Sequence, residues 1–147
     1  MELIVVLAIM SILVGVVGTQ VIPYLNKAKT ARDLQVLDSF ASAGVYAYST
    51  KCELVPEVTT MTVTVTPSAG YDLYSCSDCQ EVADEIRDLM NRNYLSDPGK
   101  PFKSKTYQNI DKIEVVYEFD NGRVSVHAYE GADEKSEHDI IYEVLGE

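Results

Sequence analysis

The chain has 147 residues, 46% of them hydrophobic, and its 23 acidic side chains against 12 basic ones give a formal net charge of −11. That length suits one domain with a single core, or a smaller domain carrying an appended element. Residues 1 to 50 sum to zero, with Glu2, Asp33 and Asp38 against Lys27, Lys29 and Arg32, so the excess acid sits on the remainder. An acidic outer part without a Lys/Arg stripe interleaved with aromatics repels phosphate backbones, and direct nucleic-acid binding is not expected.

From Met1 to Pro23 the only ionisable side chain is Glu2, and Leu3 to Gly18 holds nothing more polar than Ser11. Such a run approaches the ~20 apolar residues that a bilayer-spanning helix requires. It lacks the basic n-region and small-residue cleavage site of a secretory signal, and it continues without a break into helical sequence, so it reads as a retained segment. Beyond Pro23, Ala28, Ala31, Leu34, Leu37, Ala41, Val45 and Tyr48 fall at three- and four-residue steps, the spacing of one helical face. Lys27, Lys29, Arg32, Asp33 and Ser39 are assigned to the opposite, polar face. One helix running to about Lys51 would be ~75 Å long. The chain therefore divides into an apolar half-helix, residues 1–24, and a globular part, residues 25–147.

Between Pro56 and Pro67, β-branched residues alternate from Val58 to Thr66 and predict a strand over 58–66. Gly70 to Ser75 reads as a loop. Ser77 with Gln80 three residues later forms a capping-box pattern, which predicts a second helix with Cys79, Val82, Ile86, Leu89 and Met90 on its inner stripe. Asp97-Pro98-Gly99 and Pro101 end it. Lys112 to Phe119 and Arg123 to Tyr129 then alternate around Asn121-Gly122, a strong hairpin signal. A polar loop, Glu130 to His138, leads to a last apolar run, Ile140 to Leu145. The expected fold is α+β: a long N-terminal helix packed on an antiparallel sheet of three to four strands.

The segment Glu2-Leu3-Ile4-Val5-Val6-Leu7-Ala8-Ile9-Met10 resembles the mature N-terminus of the type IV pilin and pseudopilin family. The continuation through Ser11-Ile12-Leu13-Val14-Gly15, and the stretch Tyr24 to Arg32, look like the versions found in clostridia-type bacteria. The family usually places its glutamate fifth, and here it is second. Beyond Arg32 the likeness is architectural only. This resemblance implies a structural subunit, not an enzyme, with no cofactor. Its partners would be identical subunits in a helical homopolymer, the membrane before assembly, and the pilus assembly machinery. The place implied is the cell surface, reached from the inner membrane after processing by a prepilin peptidase. Lys27, Lys29 and Arg32 follow the apolar run and by the positive-inside rule would face the cytoplasm, so the outward orientation rests on the resemblance. A pseudopilin of a secretion system shares the same N-terminus and is the nearest alternative.

Four positions in the helix are assigned to assembly. Glu2 places a carboxylate at the head of an apolar run, where a buried charge must be paired or neutralised. Gly15, Gly18 and Pro23 weaken the helix, each glycine by roughly 1 kcal/mol relative to Ala and the proline by removing a hydrogen bond to the Thr19 carbonyl. The helix is expected to loosen between them in an assembled fibre.

Cys52, Cys76 and Cys79 remain. In an oxidising compartment two can bridge, and the expected disulfide is Cys52 to Cys79, with Cys76 the alternative partner. Cys76-Ser77-Asp78-Cys79 also has the C-x-x-C form of thiol-redox proteins at a helix start. A membrane-anchored redox protein is thus a second alternative, although no strand-helix-strand unit precedes the motif. Three cysteines lack a convincing fourth zinc ligand, and the acidic loop Asp133, Glu134, Glu137 and Asp139 reads as a solvated charge run, so no metal site is assigned. His127 and His138 show no partner pattern.

Overall fold

The computed structural model describes residues 2–99, 101–134 and 142–143. A single helical rod runs from Glu2 to Leu54, longer than the globular part needs. It consists of α1 (Glu2–Val16), a π-helical segment (Val17–Val21), α2 (Ile22–Lys51) and a final 3-10 turn (Cys52–Leu54). The π turn lies directly ahead of Pro23, whose ring crowds the carbonyl four residues back and offers no N–H to it. A locally widened turn is a recognised way for a helix to pass such a residue without breaking.

The globular part is an antiparallel sheet covered on one face by α2 and by a second helix, α3 (Gln80–Met90). Four strands form its body: β1 (Thr60–Pro67), β2 (Asp72–Cys76), β3 (Lys112–Glu118) and β4 (Arg123–Glu130), in spatial order β2-β1-β3-β4. Two short strands, β5 (Asp133–Glu134) and β6 (Tyr142–Glu143), both pair with β4. The fold is the α+β arrangement expected from the sequence. Asn121-Gly122 turns the β3–β4 hairpin, and Gly122 takes the left-handed conformation (φ 61°) that such a turn requires. Strand β2 corrects the loop expected over Gly70 to Ser75: Leu73, Tyr74 and Ser75 pair with Thr66, Val65 and Thr64 of β1. Of the expected last strand only Tyr142 and Glu143 lie within the described residues, and His138, Glu137 and Asp139 lie outside them.

Alternation in the strands sorts residues between two faces. Met61, Val63, Val65, Ile113, Val115, Tyr117, Val124, Val126 and Ala128 are buried beneath the helices, together with Leu37, Phe40, Ala41 and Ala47 of α2 and Val82, Ala83 and Ile86 of α3. Thr60, Thr62, Thr64 and Thr66 alternate with the buried β1 residues on the other face. Leu89 corrects the predicted stripe of α3, because it is 43% exposed while Ala83 takes the inner place. The predicted capping box is also replaced: the N-cap is Cys79, with no side-chain cap bond. Ser77 instead bonds the Asp78 carboxylate, and Gln80 reaches back to accept from the Cys76 amide and to donate to the Tyr74 carbonyl.

Two buried carboxylates tie the loops to this frame. Asp33, assigned by periodicity to the polar face of the long helix, is instead fully buried. It accepts the Lys103 amide at 3.0 Å and the Ser104 amide at 2.6 Å. Asp72 likewise accepts the amides of Tyr94, Leu95 (3.0 Å) and Ser96 (2.7 Å). Each carboxylate satisfies donors that the irregular 91–109 segment would otherwise bury unpaired.

Candidate functional site

No residue of α1 is buried, and Leu3 and Val14 are 72% and 71% exposed. Twelve or more large aliphatic side chains, from Leu3 to Val17, stand free of the domain. Monomeric soluble proteins rarely present a contiguous apolar surface of this kind to water. The N-terminal helix is long and apolar enough to cross a membrane.

Its two hydroxyl groups are satisfied within the helix. Ser11 Oγ donates to the Leu7 carbonyl at 2.8 Å, and Thr19 Oγ1 donates to the Gly15 carbonyl at 3.1 Å. These back-bonds leave no hydroxyl requiring water, as an apolar environment demands. Glu2 stands alone as the ionisable group of the segment, in the first turn of α1 where a carboxylate faces the positive end of the helix dipole. The next cation along the rod is Lys27, more than 35 Å away at ~1.5 Å per residue.

Gly15 and Gly18 have no neighbour within 4 Å of where a Cβ would stand. Nothing inside the subunit therefore requires glycine there, although each lowers the helix propensity of the segment. Ala8, Ser11 and Gly15 fall at three- and four-residue steps on one side of α1. A small-residue face of this kind lets helix backbones approach closely in an apolar medium. Ala8 and Ser11 were not singled out from the sequence, and their spacing was the available signal. Pro23 sits in the first turn of α2, just past the π segment, so Gly15 and Pro23 flank the π segment and Gly18 lies within it.

The three cysteines are unpaired in the structure, and the expected Cys52 to Cys79 bridge is not formed. Cys52 is exposed at the end of the rod, with its thiol directed to the Ser49 carbonyl at 3.8 Å. Cys79 is 3% exposed, and its thiol donates to Glu81 Oε2 at 3.4 Å. Its own amide donates to Cys76 Sγ at 3.4 Å, so the contact made is within C-x-x-C. Burial pushes the Cys79 thiol up, and the neighbouring Glu81 carboxylate adds to this. That is the opposite of the depressed value that activates a nucleophilic thiol.

His127 does have partners. Its Nε2 lies 3.0 Å from Ser125 Oγ and its Nδ1 2.5 Å from Glu134 Oε1, which joins β4 to β5. No cluster of metal-ligating residues is present among the described residues. Comparison with protein families, with characterised proteins and with solved structures finds no match to this chain.

Proposed function

We propose that this chain is the structural subunit of a type IV pilus-like filament, held in the membrane by its N-terminal half-helix before assembly and packed through the same surface afterwards. The observation that carries the reading is the wholly exposed apolar helix projecting from a domain whose core closes without it. A helix of this kind needs an apolar partner at every stage. Lipid and neighbouring copies of the same helix are equivalent apolar surroundings, so assembly exchanges one for the other, and specificity falls to close packing and to polar groups.

Glu2 supplies the polar specificity in this reading. A carboxylate carried into an apolar fibre core costs several kcal/mol unless paired, and the cation within reach is the terminal amine of a processed neighbour. That pairing sets the axial register of each entering subunit. The small face around Gly15 supplies the close packing. The partners are identical subunits and the machinery that extracts them, the final location is the cell surface, and no reaction is assigned to the chain.

The deciding experiment compares sheared filaments with total membrane-bound subunit in wild type and Glu2→Ala. The expected result is a variant that is made and inserted but polymerises poorly. Normal fibre yield from Glu2→Ala would defeat the mechanism, since a simple membrane anchor is indifferent to losing that charge or gains from it.

A further inference from the structure

The globular part carries its basic residues unevenly. Where the irregular 101–109 segment crosses the start of α2, a cleft of about 630 Å³ is lined by Lys27, Lys29 and Thr30 from the helix and by Lys103, Ser104 and Lys105 from the segment. The buried Asp33 builds this cleft, because its carboxylate holds the Lys103 and Ser104 amides against the helix. Lys103 Nζ is engaged by the Gly99 carbonyl at 3.0 Å. The other three ammonium groups, of Lys27, Lys29 and Lys105, have no carboxylate partner among the described residues. In a chain with 23 acids and 12 bases, unpaired cations gathered at one cleft are unexpected unless they serve an outside anion.

Depth along the rod says which anion. Asn26 to Thr30 follow the last residues of the apolar stretch, Val21 and Ile22, by four to nine positions, or about 6–13 Å at 1.5 Å per residue. The polar layer on each side of a bilayer core is about 5–8 Å thick. Tyr24, 71% exposed, stands between the apolar stretch and the cleft, where aromatic residues mark the membrane interface. We infer that this lysine cleft binds the phosphodiester headgroup of an anionic phospholipid while the subunit is in the membrane. This inference rests on the proposed membrane-held stage. The ammonium groups of Lys27, Lys29 and Lys105 meet the phosphate, and the Thr30 hydroxyl, which donates to the Asn26 carbonyl at 3.1 Å, keeps its oxygen to accept from a headgroup hydroxyl. Bound there, the lipid offsets the repulsion between an acidic domain and an acidic leaflet, and holds the domain against the membrane until extraction.

The test uses the full chain in detergent micelles, with phosphatidylglycerol or phosphatidylcholine added, and counts retained lipid by native mass spectrometry. Each lysine near an anionic surface contributes about fivefold to association. Wild type should therefore favour phosphatidylglycerol by at least about tenfold, and a Lys27→Gln, Lys29→Gln, Lys105→Gln variant should fall to parity. These are exposed positions, so the variant keeps its fold. Equal retention of the two lipids by wild type, or an unchanged preference in the variant, overturns the inference. So does loss of the preference when inorganic phosphate is added, since the occupant is then a soluble anion. If the variant alters filament yield while its lipid preference is intact, the lysines meet a neighbour's carboxylates and the inference fails. Carbonate washing of membranes distinguishes failure of the cleft from failure of the membrane-held stage. A chain that resists extraction but shows no lipid preference sinks the cleft alone, whereas a chain released by carbonate removes the membrane-held stage and the cleft's role with it.

Discussion

Tyr117 Oη donates to the main-chain carbonyl of Gly44 at 2.8 Å, and this contact sets how closely the long helix lies on the sheet. A Cβ at residue 44 would stand 2.9 Å from Val115 Cγ1 and 3.1 Å from the Tyr117 hydroxyl. The rod thus meets β3 backbone to side chain, with Tyr48 tilted against the same phenol at a ring separation of 6.0 Å and Phe119 stacked on it at 6.1 Å.

Gly44→Ala should destabilise the domain by about 1–3 kcal/mol, because the added methyl must displace two residues of a close-packed core. Tyr117→Phe should cost about 1 kcal/mol, the net worth of the hydrogen bond. Denaturant unfolding of the full chain in detergent, followed by circular dichroism, gives both values. Equal stability of Gly44→Ala and wild type would show that the helix is free to lift from the sheet.

Removing the Asp33 carboxylate strands two amides that have no other partner among the described residues. Asp33→Ala should lower stability by about 3 kcal/mol, and limited proteolysis should reveal new cleavage near Lys103 and Lys105. An Asp33→Ala variant with wild-type protease resistance would mean the segment is held by its apolar anchors, Phe102 and Tyr107, alone.

Burial raises the phenols of Tyr117 and Tyr74 above their usual value, and for Tyr74 the Asp72 carboxylate adds to the effect. Below pH about 10 both phenols are neutral, folded or unfolded, so neither makes stability depend on pH. Above it the unfolded chain releases protons that the folded one retains, and stability falls by about 1.4 kcal/mol per pH unit for each phenol. Stability should therefore be lost in the alkaline range, with phenolate absorbance rising together with unfolding. Tyr117→Phe should make the loss shallower. Phenolate absorbance that rises fully near pH 10 while the domain stays folded would contradict this.

Native-state alkylation should label Cys52 first and Cys79 last. Cys52 is exposed, whereas Cys79 combines near-complete burial with a raised thiol pKa, and only the thiolate reacts. Peptide mapping after graded labelling reads the order. Fast labelling of Cys79 would show that the start of α3 opens readily.

Gly15→Leu and Gly18→Leu separate the subunit from the assembly. Each side chain would enter open space in the single chain, so unfolding in detergent should be unchanged or slightly improved by the gain in helix propensity. In the filament reading, the same substitutions block close helix approach and should reduce sheared fibre severalfold. Full fibre yield from both variants would remove the small-residue face from the mechanism.

The long helix and the β3–β4 hairpin were legible in the sequence because both are local. Three- and four-residue spacing, a sustained apolar run, and Asn121-Gly122 between alternating strands are each readable within a short window. The positions proposed for assembly stand out for the same reason: a lone acid, two glycines and a proline lie in a stretch of mostly aliphatic residues. Strand β2 was not legible, since five residues containing a buried Asp72 carry little alternation, and they become a strand only by pairing with β1. Asp33 fits a polar helix face by periodicity, and only partners seventy positions away turn it inward. The need for glycine at 44 depends on Val115 and Tyr117, and the lysine cleft depends on a loop folded back across the helix by that same Asp33. Local spacing determines which segments become helix or strand. Which buried polar group finds which donor is decided only when distant segments meet, because an unpaired buried donor costs the same wherever in the sequence its partner lies.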